Sequence, residues 1–344
     1  MKKFKSITKF EQFTDFLESQ IASGVYPPGS KIPSERELSA RYGLSYVTVN
    51  KVISTLASRN IVKRSYGKGT FVTSPLLNTN GKSVAVVIDT KKENHPPFSY
   101  VLPSLFQQKG YFVTIFEISH RESLIQNLGN FLKQKPKALI VDGYSVFPFE
   151  VLDQVPEETK LVFIHRFEEK EKYDASYILL DYEKAGYMAV KRLISLGRKR
   201  IAILTFEIRS GWTSYLFDKG CEKAFKEHGI KPAVKVFTDD LTPKNEHKYY
   251  RDLFSSKNRP DAVVAFGDSR AIPVINVLKE LKLRIPQDVP IIGFQDSPWA
   301  SAYDMTSISR QELLIIEKAY EAAESRKNME VTIDPVMILR NSCP

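Results

Sequence analysis

The stretch "KIPSEREL" (31–38) places an arginine among acids at the start of a helix. Ser34 followed three residues later by Glu37 is a capping box, in which serine and glutamate satisfy each other's backbone donors. Glu35 and Glu37 suit the positive end of a helix dipole. Arg36 does not, so it serves either a surface pair with a glutamate one turn away or a partner outside the chain. Further along, "IVKRSYGKGTFV" (61–72) reads as two short β runs around a glycine-rich turn, with its basic residues standing clear at the tip. The chemistry on offer here is cationic recognition.

Other reactive constellations are missing from the sequence. The two cysteines, Cys221 and Cys343, are far apart and match neither a metal site nor a disulfide framework. "NGKS" (80–83) lacks the first glycine of a phosphate-binding loop, and no G-x-G-x-x-G occurs. No nucleophile–base pair, metal cluster or cofactor motif is evident, so no enzyme activity, metal or cofactor is expected.

Charge agrees with a cationic site. The 344 residues carry a net charge of +10. Residues 1–74 hold 12 Lys+Arg against 5 Asp+Glu, and the remaining residues hold 38 against 35. Cation concentrated in the first fifth of a chain suggests a polyanion partner. No apolar run is long enough to span a membrane. The opening "MKKFKSITKFEQF" has no apolar core of a secretory leader. The expected location is therefore cytoplasmic, without membrane contact.

The elements that must carry these residues follow from periodicity and breakers. Phe13, Phe16, Leu17 and Ile21 recur at helical spacing over 9–23, and the prolines of "YPPGSKIP" force an extended connector. A short helix spans about 34–42 and stops at Gly43. Ser45 can cap the next one, where Val49, Val52, Ile53 and Leu56 form an apolar stripe. Two helices joined by a short glycine-containing turn, followed by a hairpin, make a helix-turn-helix with a wing.

Residues 10–73 closely resemble the winged helix-turn-helix domain of the GntR family of bacterial transcription regulators, across "IASGVYPPGSKIPSERELSARYGLSYVTVNKVISTLASRNIVKRSYGKGTFV". The resemblance implies double-stranded operator DNA as partner. It points Arg36 at the DNA, where a planar guanidinium can fork onto a phosphate or a guanine edge. It also implies contacts from Ser34, from Ser45, Tyr46, Thr48, Asn50 and Lys51 of the recognition helix, and from Arg64, Tyr66, Gly67 and Lys68 of the wing. Many members carry arginine where this chain has Tyr46 and Asn50, so a less guanine-dominated operator is expected.

Beyond a polar linker at 75–82, short apolar runs alternate with amphipathic helices: "SVAVVID", "YFVTIFE", "KALIVDG", "KLVFIHRF", then "ASYILLD" opening a second series with "RIAILT", "AVKVF", "DAVVAFGD" and "VPIIGFQD". Such alternation means parallel sheets covered on both faces. The fold class is α/β: an N-terminal winged helix-turn-helix (1–74) and a two-lobed parallel α/β effector domain (83–344). Lobe 1 spans about 83–180 and 309–330, and lobe 2 about 181–308 and 331–344.

Segments including "LLDYEKAGYMAVKRLISLGRKRIAIL" and "PDAVVAFGDSRAIPVINVLKELKLRIPQDVPIIGFQDSPWASAYDMTSIS" are similar to the LacI family's periplasmic-binding-protein-like effector domain. A GntR-type head on a LacI-type core is similar to sugar regulators of the arabinose-repressor type. The resemblance implies a homodimeric repressor of carbohydrate-utilisation genes, released by a small effector, with the sugar bound beyond the carboxyl ends of the strands.

It places Arg166 as the sugar-binding arginine, with His165 where an Asp is usual. Asp268, Gln295 and Asp296 end two further strands, where each Asp could instead be a helix N-cap. Phe98 and Tyr100 occupy the stacking position in the loop after the first strand. Phe217 stands where an arginine is often found, and Arg209 or Trp212 could compensate. The rival readings are a regulator sensing a phosphorylated sugar or a nucleoside or purine, a sugar-modifying α/β enzyme fused to a DNA-binding head, and a transport solute-binding protein, which would have a signal peptide and no head.

Overall fold

The structure is a computed structural model that describes residues 9–22, 25–27, 29–58, 61–73, 82–88, 96–118, 121–142, 147–165, 173–206 and 213–344. The chain divides into two compact units, Met1–Ser83 and Val84–Pro344. The linker expected at 75–82 lies almost wholly outside the described residues.

In the first unit, α1 (Lys9–Ala22), α2 (Glu35–Tyr42) and α3 (Tyr46–Ser58) precede a hairpin of β1 (Val62–Ser65) and β2 (Gly69–Val72). Each boundary has a local cause. The Ser34–Glu37 capping box opens α2, and Gly43, left-handed at φ 63°, closes it. The Ser45 hydroxyl accepts the Thr48 amide at 3.1 Å and opens α3. The extended connector runs along the hairpin: Ile32 N donates to Thr70 O and Val72 N to Ser30 O. The core is Phe13, Leu17, Ile32, Leu38, Val49, Val52, Ile53, Leu56, Val62 and Val72, drawn from every element.

The second unit holds two six-stranded sheets. The first contains β3 (Ser83–Ile88), β4 (Phe112–Glu117), β5 (Ala138–Asp142), β6 (Lys160–His165), β7 (Ser176–Leu180) and β13 (Glu330–Ile333), in the order β4-β3-β5-β6-β7-β13. The second contains β8 (Ile201–Thr205), β9 (Val234–Phe237), β10 (Ala262–Ala265), β11 (Ile291–Gln295), β12 (Thr306–Ser309) and β14 (Val336–Ile338), in the order β9-β8-β10-β11-β12-β14. The β3/β5, β5/β6, β6/β7 and β7/β13 pairs are parallel, as are β9/β8, β8/β10, β10/β11 and β11/β12. β14 is antiparallel to β12. Strands β3, β5, β8 and β10 are buried along their whole length, as continuous apolar runs require when helices cover both faces.

Two expectations need correction. "ASYILLD" does not open a second series: it forms β7 and pairs with β6 in the first sheet. The chain crosses to the second sheet through α6 (Tyr182–Ser195) and β8. It leaves after β12 and returns between Ile333 and Val336, slightly later than residue 331, because β13 completes the first sheet and β14 the second. At the middle crossing, Gln311 is left-handed at φ 56° beside a buried Arg310–Glu312 ion pair. Burial drives the Glu312 carboxyl above the usual carboxylate range, against the pull of Arg310. The other helices are α4 (Pro96–Gln108), α5 (Arg121–Leu132), α7 (Thr213–Glu227), α8 (Pro243–Ser255), α9 (Asp268–Glu280), α10 (Pro298–Ala302) and α11 (Glu312–Glu324). No described helix is long and apolar enough to cross a membrane.

Candidate nucleic-acid interface and effector site

Glu35, Asn50 and Arg64 meet in one network on the head. Arg64 Nη2 donates to Glu35 Oε1 at 3.1 Å and to the Asn50 carbonyl at 3.3 Å. The wing, the start of α2 and the backbone of α3 are thereby tied together. Arg36 is exposed and, among the described residues, has no ion-pair or hydrogen-bond partner. The surface pair with a nearby glutamate is therefore not made; Glu35 is taken by the wing arginine instead.

The Ser34 and Ser45 hydroxyls both cap helices, and Ser45 Oγ also lies 2.7 Å from Thr48 Oγ1. Hydrogen bonds from Ser34 hold the Glu37 carboxyl below its ordinary value. Tyr46 is half exposed. The Lys51 ammonium sits 5.0 Å from the centroid of the Phe10 ring, which draws it toward α1. Tyr66 is fully exposed at the wing tip, Gly67 is left-handed at φ 69°, and Lys68 is exposed beside them.

Sequence reasoning missed Lys31. A Cβ on Gly69 would fall 2.5 Å from Lys31 Cε, so the glycine lets the lysine lie across the wing. The bridge from Lys31 to Phe71 puts it there, and only its place in a basic, proline-flanked connector could have hinted at it.

The Glu35–Arg64 link yields a prediction with a diagnostic sign. Removing an acid near DNA ordinarily strengthens binding. If the pair positions the wing, Glu35→Gln instead weakens operator binding about 5-fold, the scale of a lost surface pair, and barely alters thermal stability. Fluorescence anisotropy on an operator duplex checks this, and tighter binding by the variant would remove the positioning role.

Of the residues expected to meet an effector, His165 ends β6 and Gln295 ends β11, with Asp296 directly after it. His165 is buried and left-handed at φ 69°, and its Nδ1 lies 3.5 Å from the Tyr182 hydroxyl. Arg166, Arg209 and Trp212 lie outside the described residues. Phe98 and Tyr100 belong to the first turns of α4 rather than to a loop, and their side chains are not among those described. Phe217, on α7, is buried in an aromatic cluster, its ring 4.7 Å from Phe266 and 5.3 Å from Phe294. Phe266 stacks on Phe294 at 4.9 Å, and Tyr182 packs 5.8 Å from Phe294. Tyr182 thus joins the end of β6 to the ends of the second sheet's strands.

The two aspartates have structural partners. Asp268 is the first residue of α9, with Gly267 as its N-cap, so it is not the cap itself. Its Oδ2 accepts the Ser297 amide at 2.7 Å, and its Oδ1 accepts the Ser307 hydroxyl at 2.6 Å. Burial raises the Asp268 carboxyl above its usual range, opposed by these hydrogen bonds. Asp296 accepts Arg340 Nη2 at 2.8 Å, and Ser297, not Asp296, holds the N-cap position of α10. Gln295 and Asp296 are consecutive left-handed residues, φ 108° and 55°. Strain gathered at strand ends is a recurrent property of ligand sites. Sequence reasoning also missed Arg270, whose Nε donates to Thr238 Oγ1 at 3.0 Å and whose guanidinium lies 5.0 Å from the Phe206 ring centroid. Among the described residues, no cluster of His, Cys, Asp or Glu could hold a metal.

Residues 10–72 match the bacterial regulatory proteins of the gntR family, and residues 175–340 match the periplasmic binding protein-like domain. The chain is 26% identical over 372 residues to an arabinose metabolism transcriptional repressor of Halalkalibacterium halodurans, covering 97% of this chain and 96% of that protein. It is 23% identical over 371 residues to the protein of the same name from Geobacillus stearothermophilus, covering 99% of each. A regulatory protein of the LacI family from Chloroflexus aggregans superposes with a TM-score of 0.65 at 19% identity, over 77% of this chain and 99% of that one. The chain is a DNA-binding transcription regulator, with a GntR-type winged head and a LacI-like, periplasmic-binding-protein-like core.

Proposed function

We propose that the protein is a cytoplasmic, homodimeric repressor of carbohydrate-utilisation genes, released from its operator when a sugar binds at the carboxyl ends of the core strands. The observation that carries this reading is the likeness to two arabinose metabolism repressors, which runs through head and core alike. One winged domain reads a half-site, so useful affinity calls for two. Phe112 and Ile115, exposed on the edge strand β4, offer apolar surface for pairing of the cores.

On the head, Arg36, Tyr46, Asn50 and the wing tip meet bases and phosphates. In the core, Arg166 forks onto sugar hydroxyls, helped by His165 and Gln295, while Phe98, Tyr100 and Trp212 offer ring faces to its C–H surface. Phe217, Asp268 and Asp296 support that site from behind. Sugar binding favours one arrangement of the cores, and hence one spacing of the heads. Emptying the operator takes roughly 3–5 kcal/mol of differential affinity. The core turns over no substrate in this reading: burial pushes the Cys221 thiol well up and raises Cys343 too, so neither is an activated nucleophile.

Thermal-shift measurements against free and phosphorylated sugars test the reading. A free sugar at about 100 times its Kd should raise the Tm by about 4–5 °C. Arg166→Ala should abolish most of that rise. An unchanged shift in the variant would refute the pocket assignment, and a response confined to phosphorylated sugars would refute the free-sugar reading.

A further inference from the structure

Val47 occupies an outward position of the recognition helix and is 75% exposed. The buried side of α3 is Val49, Val52, Ile53 and Leu56. With 3.6 residues per turn, Val47 points within about 10° of the direction opposite their mean. Tyr46 and Asn50 lie to one side of it and Lys51 to the other. The Ser45 cap puts Val47 in the first turn, the part of a recognition helix that reaches base edges. A β-branched apolar side chain left in water contributes nothing to folding of the head, since the core closes without it.

The chemistry of the major groove narrows its use. Base edges there present donors, acceptors and a single apolar group, the C5-methyl of thymine. Valine has no donor or acceptor and cannot reward contact with a guanine, adenine or cytosine edge. Pressed against one of those edges, it would only strip water from a polar atom. We propose that Val47 reads a thymine methyl in each operator half-site and is a specificity-determining residue of this head. Tyr46 and Asn50 then frame that thymine, with Asn50 suited to an adenine beside it.

The test removes the methyl rather than the side chain. Full-length protein selects its preferred sequence from random duplex DNA, and that duplex is resynthesised with deoxyuridine replacing each thymidine in turn. Wild type should lose about 3- to 5-fold in affinity at one thymine per half-site, the scale of one buried methyl. Val47→Ser should bind the thymine duplex more weakly and the uracil duplex equally well. Val47→Thr keeps one methyl and should retain part of the discrimination. An enriched sequence at which no substitution distinguishes wild type from Val47→Ser would overturn the assignment alone. Selection that enriches no sequence would overturn the operator-binding reading, and this inference with it.

Discussion

Arg36→Ala is expected to lower operator affinity by about 30-fold or more while leaving the head folded. The side chain is exposed and has no partner among the described residues, so its removal strands nothing inside the protein. The helix start that carries it stays intact, because the capping box depends on Ser34 and Glu37. A bidentate arginine contact is worth about 1–3 kcal/mol of discrimination at each half-site. Two copies in the proposed dimer lose about twice that, or roughly 30-fold to 10⁴-fold. Arg36→Lys separates charge from geometry. It retains attraction to the backbone but loses the planar fork, so its salt dependence should stay near wild type while its affinity falls. Titrations of both variants at several salt concentrations check this. Affinity within 3-fold of wild type for Arg36→Ala would mean that the arginine faces solvent rather than DNA.

The head was readable from sequence because its determinants are local. A cap three residues long, a glycine stop and an apolar stripe over two helical turns need no knowledge of distant partners, and the buried residues of α3 are the four of the expected stripe. What failed to show was long-range. Arg64 looks like one more wing cation until its bond to Glu35, 29 residues away, appears.

The core divides in the same way. Its parallel strands announce themselves as short buried runs, but alternation fixes only their order in the chain, not which sheet accepts each one. That is why β7 reads as a beginning when it borders β6. The strands after residue 297 are short, mixed in composition and dependent on strands already in place for their partners. Likewise, the residue types at the strand ends were legible, and the occupants of their hydrogen bonds were not. Asp268 meets Ser307 across 39 residues and Asp296 meets Arg340 across 44. Spacing along the chain cannot reveal that these carboxylates already have partners.

The crossing of α6 and α7 carries the second large effect. A Cβ on Gly220 would fall 1.8 Å from the Glu183 carbonyl oxygen, and one on Gly186 would fall 1.9 Å from the Phe217 carbonyl oxygen. Each glycine is thus the hollow into which the other helix's backbone fits. Backbone cannot rotate aside as a side chain can, so Gly220→Val must part the helices. Parting them withdraws Phe217 from Phe266 and Phe294 and opens the layer containing Cys221 and Ala224. Overpacking of a dense core costs about 1–3 kcal/mol, and more where backbone must move, so a loss above about 3 kcal/mol is expected. Gly197→Ala is the control. Its Cβ meets nothing within 4 Å, so only the left-handed φ of 79° opposes it, at about 1 kcal/mol. Urea unfolding should therefore separate the two variants by at least about 2 kcal/mol. Under the proposed effector site the same geometry would couple Gly220 to ligand binding, because α7 packs Phe217 against Phe266 and Phe294. Comparable midpoints for the two variants would show that the helices can move apart cheaply, and the aromatic cluster could not then be a rigid support for the effector site.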